Sequence, residues 1–164
     1  MPKKTLIKVF AVLAVLAIGF ASFTTLGGDD TVSGSAAGLP AVTGNFNEMP
    51  MIAAPTGTAP ATLQTQDIIV GTGTEIQPTS TLTVQYTLMA WSSGEILESS
   101  VSSGQPATFP LSGVIAGWQE GLPGAKVGGR RLLVIPPSLG YGPSVGHPLE
   151  KETLIFVVDI IAVS

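Results

Sequence analysis

The side chains that most often do chemistry are scarce in this sequence. It has no cysteine and one histidine, His147, among 164 residues. That excludes thiolate nucleophiles, disulfide frameworks, iron–sulfur clusters and cysteine-based zinc sites, and one histidine cannot build a multi-histidine metal site. Charged residues are 11% of the chain and the net charge is −4. With no basic stripe to neutralise phosphates, a nucleic-acid partner is disfavoured. The aromatic residues include Tyr86, Trp118, Tyr141 and Phe156. By spacing alone they have plain readings. Trp118, at helical spacing from Val114 and Leu122, alone reads as core filler, and Tyr86 and Phe156 read as core on strand faces. Tyr141 stands between Gly140 and Gly142, which suits a rim residue with a free hydroxyl. His147, in a Gly/Pro loop, reads first as an exposed turn residue, with substrate contact as the alternative. Glu95, Arg130 and Arg131 read as surface charges flanking strands.

The elements that would position these residues follow from periodicity. Leu82, Val84, Tyr86 and Leu88 alternate with Thr83, Gln85 and Thr87, the pattern of a strand with one face in a core. Ser92-Ser93-Gly94 is turn chemistry, and Glu95–Glu98 should return as the hairpin partner. Asp67–Val70, Arg131–Ile135 and Thr153–Ala162 are further β-rich runs, and in the last Leu154, Phe156, Val158 and Ile160 share a face. Only Val114–Leu122 breaks the strand pattern, and its spacing predicts a short helix despite Gly117 and Gly121. The expected fold is α+β: an antiparallel sheet curved around one short helix.

The N-terminal part has a different composition. Lys3, Lys4 and Lys8 precede the apolar run Val9–Phe20, and Gly19 and Ala21 place small residues where a signal peptidase cuts. Residues 1–26 therefore read as a signal peptide cleaved after Ala21 or as an uncleaved apolar helix anchoring the chain in a membrane. Either places the rest outside the cytoplasm, secreted or membrane-anchored. No cysteine follows that could carry a lipid. Residues 27–66, rich in Pro, Gly, Ala and Thr, read as a flexible linker with local β structure near its end. Residues 67–164 form the domain, and the low charge with a flexible tether points to a monomer.

Several short segments, in order, carry a family resemblance: Val84-Gln85-Tyr86, Gly94, Leu97-Glu98-Ser99-Ser100, Phe109-Pro110-Leu111, Val114-Ile115-Ala116-Gly117-Trp118, Val127-Gly128-Gly129-Arg130, Ile135-Pro136, Gly140-Tyr141-Gly142 and Thr153-Leu154-Ile155-Phe156. From about Asp67 to Ser164 the chain resembles the FKBP-type peptidyl-prolyl cis–trans isomerases. The resemblance implies a five- to six-stranded antiparallel sheet wrapped around a short helix, with a pocket between them. Trp118 would be the floor. Tyr86, Leu97, Val114, Ile115, Tyr141 and Phe156 would bind substrate. Tyr86, Glu98, the Ile115 N–H and the Tyr141 hydroxyl would take part in catalysis, with Glu98 paired to the Tyr86 hydroxyl.

The implied reaction is rotation about the bond before proline, whose barrier is ~18–20 kcal/mol. No bond is made or broken, so no cofactor and no metal is implied. The implied partners are proline-containing polypeptides and macrolides such as tacrolimus. The chain departs from the family pattern at three places. Leu97-Glu98 stands for the usual Phe-Asp, Ala107 stands where many members have an aromatic wall, and the loop after Tyr141 lacks Ile-Pro-Pro and reads His147-Pro148-Leu149-Glu150. These changes predict a wider, less aromatic pocket, weaker macrolide affinity and reduced turnover. The alternative function is a low-activity binding module or chaperone of the cell envelope on the same fold.

Overall fold

The computed structural model describes residues 38–164. The expected signal or anchor over 1–26, and residues 27–37 of the expected linker, lie outside the described residues. In chain order the elements are β1 (Val42–Thr43), β2 (Met51–Ile52), β3 (Gln64–Ile69), β4 (Thr81–Ala90), β5 (Ile96–Ser99), α1 (Ser100–Ser103), β6 (Ala107–Pro110), α2 (Ala116–Gly121), β7 (Arg130–Ile135) and β8 (Leu154–Val163). Short 3-10 turns at Leu111–Gly113 and Pro137–Leu139 punctuate the second half.

Strands β3 to β8 make one six-stranded antiparallel sheet in the order β3-β7-β8-β4-β5, with β6 pairing the other half of the β4 edge. The alternation in β4 has the expected consequence. Leu82, Val84, Tyr86 and Leu88 join Leu133, Ile135, Leu154, Phe156, Val158 and Ile160 in one core, with Trp118 and Leu122 of the helical segment packed into it. Helix α2 spans Ala116–Gly121, shorter than the Val114–Leu122 stretch that its apolar spacing covers. Its glycines are structural. A Cβ on Gly117 would lie 2.5 Å from Ile135 Cγ2, and one on Gly121 would collide with Leu133 Cδ2. The helix backbone therefore lies directly on β7, and only glycine permits that approach.

The other face of the sheet is covered too. Met89, Trp91, Leu132, Val134, Ile155 and Val157 form a second apolar cluster with Val42, against which Leu39, Ile52, Ala59 and Ile68 pack. Residues 38–66, expected as linker, are thus a docked strap. Strands β1 and β2 pair with Val42 opposite Ile52, and Val42 is 4% exposed. Strand β3 starts at Gln64 and pairs with β7. The physical reason lies in β7 and β8. Their apolar runs are nearly continuous, so both faces must leave water, and the strap supplies the missing cover.

Arg130 holds the strap down. It is fully buried, not a surface charge, and its guanidinium makes bonds of 2.6 and 2.7 Å to the two carboxylate oxygens of Asp159. Its remaining N–H groups reach the strap carbonyls of Gly44 at 3.0 Å and Glu48 at 2.7 Å. Asp159 in turn accepts the Asn47 N–H at 2.7 Å. Arg131 also departs from expectation: half-buried, it pairs with Asp67 and caps the Gly121 carbonyl at the end of α2. Glu95 is exposed, as read from sequence.

Candidate active site

The candidate residues come from five parts of the chain and meet in the core on one face of the sheet. Strand β4 brings Tyr86 and β8 brings Phe156, both 5% exposed, while α2 brings Trp118 at 4%. The Trp118 ring meets Phe156 edge-on, with centroids 5.3 Å apart and planes at 87°, and meets Tyr86 at 5.8 Å and 80°. Edge-to-face contacts suit the ring quadrupoles and hold the rings at fixed angles. Leu97, Val114, Ile115 and Tyr141 are half-buried and pack against the same core. The structure therefore brings Tyr86, Leu97, Val114, Ile115, Trp118, Tyr141 and Phe156 into one core.

Phe109, not singled out as pocket lining, belongs there as well. Its ring lies 5.6 Å from Trp118 and 6.5 Å from Tyr86. It shares one face of β6 with Ala107, and that alternation was its signal in the sequence. The small Ala107 thus stands beside an aromatic neighbour. His147 is a second correction. It is half-buried rather than an open turn residue, and its ring stacks on Tyr141 with centroids 4.0 Å apart and planes within 7°. Its Nδ1 accepts the Leu149 N–H at 3.1 Å, which ties the ring to the loop.

Few polar groups face this apolar assembly. The Tyr86 hydroxyl donates to Glu98 Oε1 at 2.5 Å. Burial, then this bond and the Glu98 charge, push the Tyr86 hydroxyl far above the usual tyrosine range, so it stays a protonated donor. Burial also raises the Glu98 carboxyl, partly offset by the bond from Tyr86. Tyr141 is raised by burial and then by the Glu98 charge. Among the described residues the Tyr141 hydroxyl has no hydrogen-bond partner, and neither does the backbone N–H of Ile115, the residue that precedes α2. The indole Nε1–H of Trp118 is buried and has no acceptor. Three donors thus stand without acceptors among the described residues, a complement for carbonyl oxygens.

Residues 73–161 match the family model described as FKBP-type peptidyl-prolyl cis-trans isomerase. The chain belongs to this family. A probable FK506-binding protein of Corynebacterium glutamicum is 51% identical over 116 residues, covering 70% of this chain and 98% of the relative. An FK506-binding protein of Streptomyces anulatus is 43% identical over 121 residues, covering 71% and 98%. Among solved structures, FkpA from Escherichia coli superposes with a TM-score of 0.57 at 38% identity, covering 62% of this chain and 48% of FkpA. AtFKBP13 gives 0.55 at 30% identity, covering 65% and 96%. The antiparallel sheet with few helices is the FKBP fold, and the chain is an FKBP-type peptidyl-prolyl cis–trans isomerase. FKBP domains as a class bind proline-containing substrates and macrolides.

Proposed function

We propose that this FKBP domain isomerises Xaa-Pro bonds of exported polypeptides by desolvating the amide in the Trp118 recess. The observation that carries the reading is the set of aromatic rings around Trp118, bordered by donors with no partner of their own. A planar amide owes its stiffness to charge-separated resonance, which water stabilises. Removing water disfavours the planar form relative to the twisted one, and fixed dipoles replace the lost solvation. The proline ring sits on the indole of Trp118 between Tyr86 and Phe156. The Ile115 N–H holds a substrate carbonyl, and the Tyr141 hydroxyl, oriented by its stack on His147, donates to another. Glu98 keeps the Tyr86 hydroxyl turned to the recess wall, and Leu97 and Val114 close the sides.

The place of action follows from residues 1–26, which have a basic start, an apolar run and small residues at a cleavage spacing. A relative 41% identical over 106 residues is named Outer membrane protein MIP, from Legionella longbeachae, with 63% of this chain and 45% of the relative covered. We place the domain outside the cytoplasm, as a secreted or membrane-anchored monomer. Among the described residues no helix is long and apolar enough to cross a membrane.

The test is isomerisation of an Xaa-Pro peptide by the purified chain, with and without tacrolimus. Macrolide-sensitive turnover supports the reading. A folded chain without turnover that still suppresses client aggregation favours the binding-module alternative and points to Leu97, Glu98 and Ala107 as the cause.

A further inference from the structure

Met49 of the strap reaches the edge of the active-site hairpin, in unusual surroundings for a thioether. Three hydroxyls converge on its sulfur: Ser99 at 3.4 Å, Thr87 at 3.8 Å and Ser102 at 3.9 Å. A thioether is a weak acceptor. Thr87 is fully buried, and its hydroxyl has only the Met49 sulfur and the Ser99 hydroxyl, 3.0 Å away, as partners. When Ser99 donates to Thr87, the buried Thr87 proton has only sulfur to receive it, whereas the Ser99 and Ser102 hydroxyls also reach solvent. A stronger acceptor in place of the sulfur would satisfy Thr87 and draw the other two hydroxyls from water. Met49 is also reachable, being 39% exposed, whereas Met89 is 4% exposed in the second cluster.

We propose that Met49 is an oxidation site at which the sulfoxide strengthens the docking of the strap. A sulfur lone pair attacks one oxygen of a peroxide such as hydrogen peroxide. The O–O bond breaks, a proton passes to the departing hydroxide, and water leaves. Sulfur loses two electrons and the peroxide gains them. In an apolar core the new S=O group is disruptive. Here its oxygen lies among the Ser99, Thr87 and Ser102 hydroxyls and accepts bonds that the sulfur could not hold. The flexible methionine side chain absorbs the small retreat that the added oxygen demands. Strap and β5 are then tied by full hydrogen bonds one residue from Glu98. Met51, at 73% exposure with no such donors, gives an oxidised residue without this consequence.

The experiment treats the full chain carrying Met51→Leu with hydrogen peroxide, locates the added oxygen by peptide mass spectrometry, and follows amide exchange at Asn47 and Ala53. The Asn47 amide reports strap docking, through Asp159, and the Ala53 amide reports the strap's own pairing, through the Ala41 carbonyl. Oxidation at Met49 should slow their exchange about 3- to 10-fold, the gain of roughly one net hydrogen bond. Ser102→Ala, a change at an exposed position, should reduce the slowing, and Met49→Leu should abolish the response to peroxide. Unchanged or faster exchange after Met49 oxidation overturns the proposal, and so does a Met49 that resists peroxide in the folded chain.

Discussion

At the residue scale the site turns on one short bond, from the Tyr86 hydroxyl to Glu98. Tyr86→Phe keeps the ring and its contacts to Trp118 and Phe156 and removes only the donor. Glu98 is then left half-buried without it, and a loss of about 1–3 kcal/mol of stability is expected, read from urea melts. Glu98 also sets a pH dependence. Burial raises its carboxyl above the usual glutamate value, so the folded state holds the proton more tightly than the unfolded one. That contribution to stability is present at acid pH and fades as pH rises from the unfolded value through the raised one. Glu98→Gln, which keeps an acceptor for Tyr86, should flatten this fall and leave the variant at least as stable as the parent at pH 7. A steeper fall in Glu98→Gln would show that the group is not raised. Tyr86, Trp118, Tyr141 and Phe156 were legible because local motifs fix their order along the chain, whereas Phe109 stood in such a motif without being read as lining. His147 was not legible, because its stack on Tyr141 depends on how the intervening loop returns, which no periodicity encodes. Arg130 was misread because an arginine at a strand start is ordinarily solvated. The counter-signal was Asp159, a single acid inside the apolar run of β8.

At the element scale the position of Trp118 depends on how closely α2 lies on β7. Gly117→Ala puts a methyl 2.5 Å from Ile135 Cγ2, so helix or strand must move. Overpacking of this kind costs about 1–3 kcal/mol. Because Trp118 is the next residue, the displacement should also raise KM for an Xaa-Pro peptide, whereas a purely global destabilisation would leave KM unchanged below the melting range. The core-facing residues of β4 and β8 were legible from period-two spacing alone. The helix ends were not, since Val114 and Ile115 satisfy the apolar spacing yet adopt extended backbone ahead of α2. The strap was missed because its Pro- and Gly-rich composition resembles that of a tether. Its folded state is dictated from elsewhere, by the uncovered face of Leu132, Val134, Ile155 and Val157. A chain starting at residue 61 removes that cover from side chains worth about 1.5–3 kcal/mol each when buried. It should bind an apolar dye and lose near-ultraviolet circular dichroism, although it retains the whole stretch matched to the family. A melting temperature equal to that of the parent would refute an integral strap.

For the whole molecule, the sheet is a partition between two apolar layers, and Arg130–Asp159 is the polar pin through the second of them. A buried ion pair is seldom stabilising against an apolar pair of similar size, but breaking one side leaves an unpaired charge. Arg130→Met should therefore cost about 3–5 kcal/mol. In an isolated pair, adding Asp159→Leu would restore most of that loss. Here the recovery should be incomplete in a defined place. The Gly44 and Glu48 carbonyls and the Asn47 N–H lose their partners in the double variant as well. Sheet amides in β7 and β8 should regain their slow exchange while those of the strap stay fast. Uniform recovery across both would mean that apolar contacts alone hold the strap. Uniform loss would mean that the two layers cannot be uncoupled, and that the strap folds as one cooperative unit with the domain that carries the active site.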